Sequence, residues 1–167
     1  MSITKDAGEI VWPVKQREMH NHLIDSTRWN DFPFRDDDVV IATWAKTGTT
    51  WTQQIVCQLI FDGAEDIPVA DIAPWVDMRV LPFDEIMAAL EAQTHRRVLK
   101  THLPFDALNF SAGAKYIYIG RDGRDVAWSV YHHHASMTPV FLELINETPG
   151  RVGPPLEPPK DTADSPK

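Results

Sequence analysis

The chain has 167 residues, of which 43% are hydrophobic and 24% charged, which suits one globular domain with its own core. Asp and Glu number 24 against 16 Lys and Arg, giving a net charge of -8, so we expect no nucleic-acid partner. The single cysteine, Cys57, excludes an internal disulfide framework and favours a reducing compartment. Since residues 1–12 lack a signal-peptide core and no apolar run could span a bilayer, the sequence predicts a cytoplasmic protein without a membrane partner.

The first predicted elements are a strand, a turn and a helix. The β-branched run at 39–43 predicts a buried strand. A turn with one glycine follows at 44–50, and apolar residues at helical spacing predict a helix over 50–61. Asp62 and Gly63 end this helix.

Prolines interrupt the segment 64–82, which predicts loops with short helical pieces. A helix is predicted over 82–93, and short apolar runs at 97–101 and 114–120 predict two further strands. The last predicted helix begins at Asp125 and reaches at least His134.

This order of elements predicts an α/β fold, a three-layer αβα arrangement around a mainly parallel sheet. Polar turns at 44–50, 100–104 and 120–124 each follow a strand. Because ligands bind at the carboxyl ends of parallel strands, we expect these three turns to gather at one edge and form the site.

The segment 149–167 holds six of the 13 prolines and almost no large apolar residue. It predicts a linker or a disordered tail after a domain spanning 1–148. A proline-rich surface loop inside a larger domain would have the same composition.

The turn after the first strand has the layout of a phosphate cradle. The first N–H groups of a helix are unpaired and favour an anion, Gly48 permits a close backbone approach, Thr49 and Thr50 add hydroxyls, and Lys46 adds a cation. The pattern is not the Gly-x4-Gly-Lys-Ser/Thr loop, because the lysine precedes the glycine. An ordinary threonine-capped turn is the alternative.

Three ordered segments carry a family resemblance. Residues 44–51 (Trp-Ala-Lys-Thr-Gly-Thr-Thr-Trp), 100–104 (Lys-Thr-His-Leu-Pro) and 118–129 resemble the 5′-phosphosulfate loop, the catalytic-histidine segment and the 3′-phosphate segment of the cytosolic-type sulfotransferases. In the first segment Trp, Ala and Thr stand where that family usually has Tyr, Pro and Ser, while Lys-x-Gly-Thr-Thr-Trp is kept.

The resemblance implies a P-loop nucleotide-hydrolase-like fold and a reaction. A sulfuryl group would pass from 3′-phosphoadenylyl sulfate (PAPS) to a hydroxyl or amine of a small-molecule acceptor, leaving adenosine 3′,5′-bisphosphate (PAP), without a metal. His102 is the candidate general base, because an ordinary imidazole titrates near neutral pH. Lys46 would stabilise the leaving phosphate, and Lys100 would add a second cation.

The candidate nucleotide-binding residues are Lys46, Thr47, Gly48, Thr49, Thr50, Trp51, Arg121 and Ser129. The resemblance also implies a link between Lys46 and Ser129 before the donor reacts. Three candidates have a plainer alternative: a surface or capping role for His102, a solvated charge for Lys100, and a surface ion pair with Asp122 or Asp125 for Arg121.

Two other groups of side chains could carry a function. Consecutive residues on a helix point about 100° apart, so the histidines at 132–134 do not converge on one ion and we expect no metal site. Six aromatic residues line either an acceptor pocket or the core: Trp75, Phe83, Phe105, Phe110, Trp128 and Phe141.

The resemblance covers about residues 35–140. The family's Arg-Lys-Gly-x-x-Gly-Asp-Trp-Lys-type segment, which completes the 3′-phosphate site, is absent, so we expect a truncated domain: the N-terminal part of a longer enzyme or a shortened form. Uncovered strands would favour a homo-oligomer. Two alternatives stay open, a non-catalytic nucleotide- or anion-binding fragment and a relative of the P-loop kinases.

Overall fold

The computed structural model describes residues 11–158. The predictions for the first ten residues, and for the proline-rich tail beyond residue 158, lie outside this range. The elements are β1 (Val39–Thr43), α1 (Thr49–Ile60), α2 (Val69–Ile72), α3 (Phe83–Ala92), β2 (Val98–Thr101), β3 (Lys115–Ile119), α4 (Gly123–Ala135) and α5 (Pro139–Glu147). Short 3-10 turns occupy Ser26–Trp29 and Phe105–Ala107.

The three strands form one parallel sheet in the order β2-β1-β3. Ile41 of the central strand lies opposite Lys100 on one side and Ile117 on the other. All three carboxyl ends therefore face the same way, as the sequence predicted, and this register brings the three polar turns to one edge of the sheet.

Side chains alternate between the two faces of the sheet, and each face is covered by helix. Val40 and Leu99 belong to a core cluster that includes Leu90 of α3. Ile41, on the other face, packs in a second cluster with Val56 of α1. The predicted αβα layering is thus present, and this alternation explains how β-branched strands bury both faces.

A buried ion pair joins the sheet at the end opposite the polar turns. Asp38 precedes β1 and Arg97 precedes β2, and both side chains are only 1% exposed. Arg97 Nε and Nη2 donate to the two carboxylate oxygens of Asp38 at 2.8 and 2.6 Å. The bidentate pair fixes the starts of the two strands relative to each other.

The sequence and the structure differ mainly after residue 120. Helix α4 begins at Gly123, two residues before the predicted start, because the Asp122 side chain accepts the N–H of Arg124. Helix α5 was not predicted at all, although Thr138 caps it and Pro139 opens it. Residues 149–158 contain no helix or strand. Among residues 11–158, no helix is long and apolar enough to cross a membrane.

Candidate active site

A cleft of about 370 Å³ opens at the carboxyl ends of the three strands. It brings together residues that are far apart in the sequence: Lys46 after β1, Lys100 and His102 at and after β2, and Arg121 and Ser129 after β3. Nine of the ten candidate site residues, which were predicted from three separate segments, line this cleft. They are Lys46, Gly48, Thr49, Thr50, Trp51, Lys100, His102, Arg121 and Ser129.

The turn before α1 leaves the helix start open. Lys46 and Gly48 have positive φ angles of 65° and 109°, and no side chain caps the helix. A Cβ added at Gly48 would meet no atom within 4 Å, so the space over the turn is empty of protein. First-turn N–H groups and the positive end of the helix dipole therefore face a cavity, an arrangement suited to an anion.

Hydrogen bonds of three threonine hydroxyls hold this turn in shape. The Thr47 hydroxyl donates to the Trp44 carbonyl at 2.7 Å, and the structure places Thr47 outside the cleft. The hydroxyls of Thr43 and Thr49 are 2.6 Å apart and buried. Of the three threonines in the turn, Thr50 is the exposed one, so its hydroxyl is the most accessible to a ligand.

The His102 ring is buried, with 7% of the residue exposed, and one tautomer is set by its surroundings. Nδ1 lies 2.6 Å from the Thr43 carbonyl oxygen, which can only accept, so Nδ1 carries the proton. Nε2 then keeps a free lone pair and has no hydrogen-bond partner among residues 11–158. This is the form that can accept a proton from a substrate.

The electrostatic surroundings of His102 differ from the sequence expectation. Burial, with the nearby Lys100 and Lys46 ammonium groups, lowers the pKa of His102 to about 4, although the Thr43 hydrogen bond opposes this shift. The expected near-neutral titration is therefore wrong for the free protein. The imidazole is neutral at pH 7 because low solvation and two cations disfavour a third positive charge.

Lys100 is not the solvated charge of the alternative interpretation. Its ammonium lies 4.6 Å from the centre of the Trp75 ring, a cation–π contact. Burial lowers the pKa of Lys100, and Lys46 adds to this effect, while Asp77 opposes it. Lys100 thus presents a poorly solvated cation beside His102.

Arg121 makes the ion pair of its plainer alternative and one contact that was not predicted. Its Nε lies 3.8 Å from Asp125 Oδ2, and its Nη1 donates to the Lys46 carbonyl at 3.1 Å. The guanidinium therefore links the third turn to the first through the Lys46 backbone. Within the described residues the Lys46 ammonium makes no hydrogen bond to Ser129.

Two histidines of the cleft were not among the predicted site residues. His133 and His134 line it, while His132 packs against Trp128, with ring centres 4.4 Å apart. Within residues 11–158 no three His, Cys, Asp or Glu side chains form a metal-sized group. The signal that could have found them is helical spacing, because His133 lies one turn after Ser129 on the same face of α4.

A smaller cavity of about 180 Å³ adjoins the cleft. The two share Trp75 and His102, and apolar side chains such as Leu23, Trp44 and Val130 line the smaller one. Among the six aromatic candidates, Trp75 lines both cavities, whereas Phe83 and Phe110 pack against the core. Phe105 and Trp128 are about two-thirds exposed, so they belong to neither predicted group.

A comparison with models of protein families identifies the family of this chain. The model of the sulfotransferase domain matches residues 36–158, which is more than half of the chain. The chain belongs to the sulfotransferase family. The match includes all three segments on which the sequence resemblance rested, and it extends past residue 140, where that resemblance ended.

Curated sulfotransferases are similar over much of this chain. A protein named glycolipid sulfotransferase from Mycobacterium tuberculosis is 37% identical over 150 residues, which cover 86% of this chain and 46% of the relative. Human sulfotransferase 2B1 is 39% identical over 106 residues, covering 59% of this chain and 28% of the relative. The chain spans about half the length, or less, of these relatives, as expected for a partial domain.

Solved sulfotransferase-type structures share the fold. Retinol dehydratase in complex with retinol and PAP matches with a TM-score of 0.52 and 26% identity, covering 64% of this chain and 42% of that one. Mouse sulfotransferase SULT7A1 complexed with PAP matches with a TM-score of 0.50 and 26% identity, covering 71% and 44%. The predicted P-loop-like α/β fold is confirmed.

Proposed function

We propose that this chain carries the donor site and the general base of a PAPS-dependent sulfotransferase that acts on a hydroxyl or amine of a small molecule. One observation supports this most directly: an open helix start, three cationic side chains and a neutral, tautomer-fixed imidazole share one cleft. Solved relatives in complexes with PAP support the choice of nucleotide.

The donor would lie across two of the turns. The open turn at 46–51 would take the 5′-phosphosulfate, because its N–H groups and Lys46 neutralise an anion. Arg121 and Ser129 would hold the 3′-phosphate through the guanidinium fork and the hydroxyl. No carboxylate of residues 11–158 lines the cleft itself, and Asp125, 3.8 Å from the Arg121 guanidinium, lies outside it.

His102 would act as the base. Its Nδ1–H stays on the Thr43 carbonyl while Nε2 takes the proton of the acceptor. The acceptor oxygen or nitrogen then bonds to sulfur as the bond from sulfur to the phosphate oxygen breaks. Lys46 and Lys100 stabilise the charge that develops on the departing phosphate. The anionic donor would also raise the pKa of His102 from about 4 towards neutrality, which strengthens the base only after the donor binds.

The adjoining apolar cavity fits the acceptor. It shares His102 with the donor cleft, so a hydroxyl placed there reaches the base. Retinol in the dehydratase structure and androsterone in another complex of that enzyme are mainly apolar small molecules. An acceptor with an apolar body and one nucleophilic group is the class that this cavity supports.

Transfer of labelled sulfate from PAPS to a panel of phenols, alcohols and amines tests this proposal. We expect His102→Ala to lower transfer at least 100-fold, because a positioned base contributes about that much, while PAP affinity stays within threefold. His132→Ala is the matched control, since His132 is exposed and lies outside the cleft.

Other outcomes separate the alternatives. PAP binding without transfer to any acceptor would favour a non-catalytic nucleotide-binding fragment, which the partial length of the chain makes the second candidate. Binding of ATP with magnesium, in place of PAP, would favour the kinase interpretation. Transfer at the wild-type rate by His102→Ala would exclude His102 as the base.

A further inference from the structure

Asp77 is a fully buried carboxylate without an ion-pair partner among the described residues. Its two oxygens accept the indole N–H groups of Trp29, at 3.1 Å, and Trp75, at 2.9 Å. Burial raises the pKa of the Asp77 carboxyl, while the neighbouring Thr101 hydroxyl and the two indole N–H groups oppose the rise. Because the indole groups can only donate, each carboxyl oxygen must accept, which favours the ionised form against the cost of burial.

The Thr101 hydroxyl, which neighbours Asp77, also contacts the backbone beside His102. Its oxygen accepts the N–H of Leu103 at 3.0 Å, and residues 101 and 103 flank His102 in the chain. Asp77 therefore lies near the segment that carries the imidazole.

Trp75, the other partner of Asp77, contacts both Lys100 of β2 and His102, which follows β2. One face of its ring carries the Lys100 ammonium at 4.6 Å, and the ring meets the imidazole of His102 edge to face, with centres 4.6 Å apart. Backbone hydrogen bonds from Val76 N to Lys100 O, and from Lys100 N to Pro74 O, hold Trp75 in register with Lys100.

We propose that Trp75 and Asp77 are positioning residues for sulfuryl transfer. The indole ring sets the separation between the Lys100 ammonium and the His102 imidazole, and the Asp77 carboxylate fixes the ring. This inference rests on the proposed function for its role in the reaction, but the arrangement itself concerns residues of the free protein.

The Asp77 charge also acts on Lys100. Burial of a carboxylate without an ion-pair partner is unfavourable, and the two indole hydrogen bonds offset part of that cost. The nearest benefit is to Lys100, whose burial disfavours its charged form and whose pKa the Asp77 charge raises. The carboxylate thus keeps a cation ionised beside the base.

Three variants and one control test the proposal. Trp75→Leu removes the ring, Trp75→Phe keeps a ring without the N–H, and Asp77→Asn keeps the shape without the charge. The control is Trp128→Phe, because Trp128 is mostly exposed, lies outside the cleft and has no hydrogen bond to Asp77. Circular dichroism checks that each variant is folded.

The first readout is the titration of His102 and Lys100 by NMR, which needs neither substrate nor turnover. We expect Trp75→Leu to raise the pKa of His102 by at least one unit, because water replaces the ring and burial is the main cause of the lowered pKa. Asp77→Asn should lower the pKa of Lys100 by at least half a unit, so a misfolded Trp75→Leu still leaves one decisive variant. Trp128→Phe should change neither value.

The second readout is steady-state kinetics. We expect Trp75→Leu and Asp77→Asn to lower kcat at least tenfold with the KM for PAPS within threefold, and Trp75→Phe to recover most of the loss of Trp75→Leu. If Trp75→Leu and Asp77→Asn both fold and the pKa values of His102 and Lys100 in them equal those of the wild type, the proposal is wrong. If the wild-type chain binds no PAP, the proposed function fails, and the NMR titration still decides whether the two residues position the pair.

Discussion

The sequence identifies His102 as the candidate base, but residues of other segments set the tautomer and the pKa of its imidazole. The Thr43 carbonyl at the end of β1 fixes the tautomer, and Lys46 of the next turn helps to lower the pKa. Both contacts cross more than 50 residues of chain. Local sequence could therefore identify the residue type and its strand-end position, whereas its protonation state depends on burial and on distant neighbours.

The lowered pKa of His102 predicts a pH dependence of stability. Because the folded-state pKa is about 4 and an unfolded histidine titrates near 6.5, the unfolded state binds the extra proton between these values. The contribution to the free energy of unfolding is complete above pH 6.5 and is lost as the pH falls towards 4. His22 and His133, whose pKa values are also lowered by burial, act in the same direction.

Urea unfolding at pH 7 and pH 4.5 measures this effect, with His102→Gln as the comparison. The stability difference between wild type and His102→Gln should shift against the wild type by about 2 to 3 kcal/mol at the lower pH, as expected for a pKa change of this size. A pH-independent difference would contradict the neutral, buried imidazole.

At the scale of elements, periodicity identified helices and strands but not which face of a helix is covered. Along α1 the sequence shows two apolar stripes; Val56 is buried, whereas Trp51, Ile55 and Leu59 are more than half exposed. Both stripes have helical spacing, so only tertiary packing distinguishes them. Helix α5 carried a recognisable threonine cap and proline start, a signal the sequence analysis did not use.

The turn between β1 and α1 gives a prediction about Gly48. Its φ of 109° is strained for any side chain, although an added Cβ would have open space. Gly48→Ala should lower the free energy of unfolding by about 1 to 3 kcal/mol and weaken PAP binding, because the N–H groups over the cavity move.

Gly123→Ala is the matched control for Gly48→Ala. Gly123 also opens a helix and also has no atom within 4 Å of an added Cβ, but its φ is not positive. Chemical denaturation measures the stability of both variants, and calorimetry measures their affinity for PAP. Because an added Cβ has open space at both positions, a loss in Gly48→Ala alone is due to backbone strain. Equal behaviour of the two variants would show that the turn does not depend on the glycine conformation.

At the scale of the whole molecule, the Asp38–Arg97 pair joins β1 and β2 on the side away from the cleft. Asp38→Asn should lower the free energy of unfolding by about 3 to 5 kcal/mol, because it leaves a buried guanidinium without its counter-charge. Denaturant unfolding checks the value.

The neighbouring Asp37 provides the control for Asp38. It pairs with Lys115 at the surface, where both side chains are 56% exposed, so Asp37→Asn should leave stability nearly unchanged. A loss in Asp38→Asn no larger than in Asp37→Asn would contradict the role of the buried pair. The sequence showed an Asp-Asp-Asp run at 36–38 but gave no sign of which carboxylate is buried.

The sheet and the site were predictable to different degrees. The parallel strands and their common edge follow from β-branched runs and polar turns, and nine of the candidate residues meet in one cleft. The contacts of Trp75 with Lys100 and His102 were not predictable, because they arise from packing between segments that share no local pattern.

We propose that these three turns form a site for a 3′,5′-bisphosphate nucleotide. Calorimetric titration with PAP tests this most directly, using wild type, Arg121→Ala and the exposed control Arg124→Ala, whose guanidinium pairs with Asp122. We predict one PAP bound per chain, affinity at least tenfold weaker for Arg121→Ala, and no change for Arg124→Ala. Absence of PAP binding, or equal affinities for the two arginine variants, would contradict this assignment.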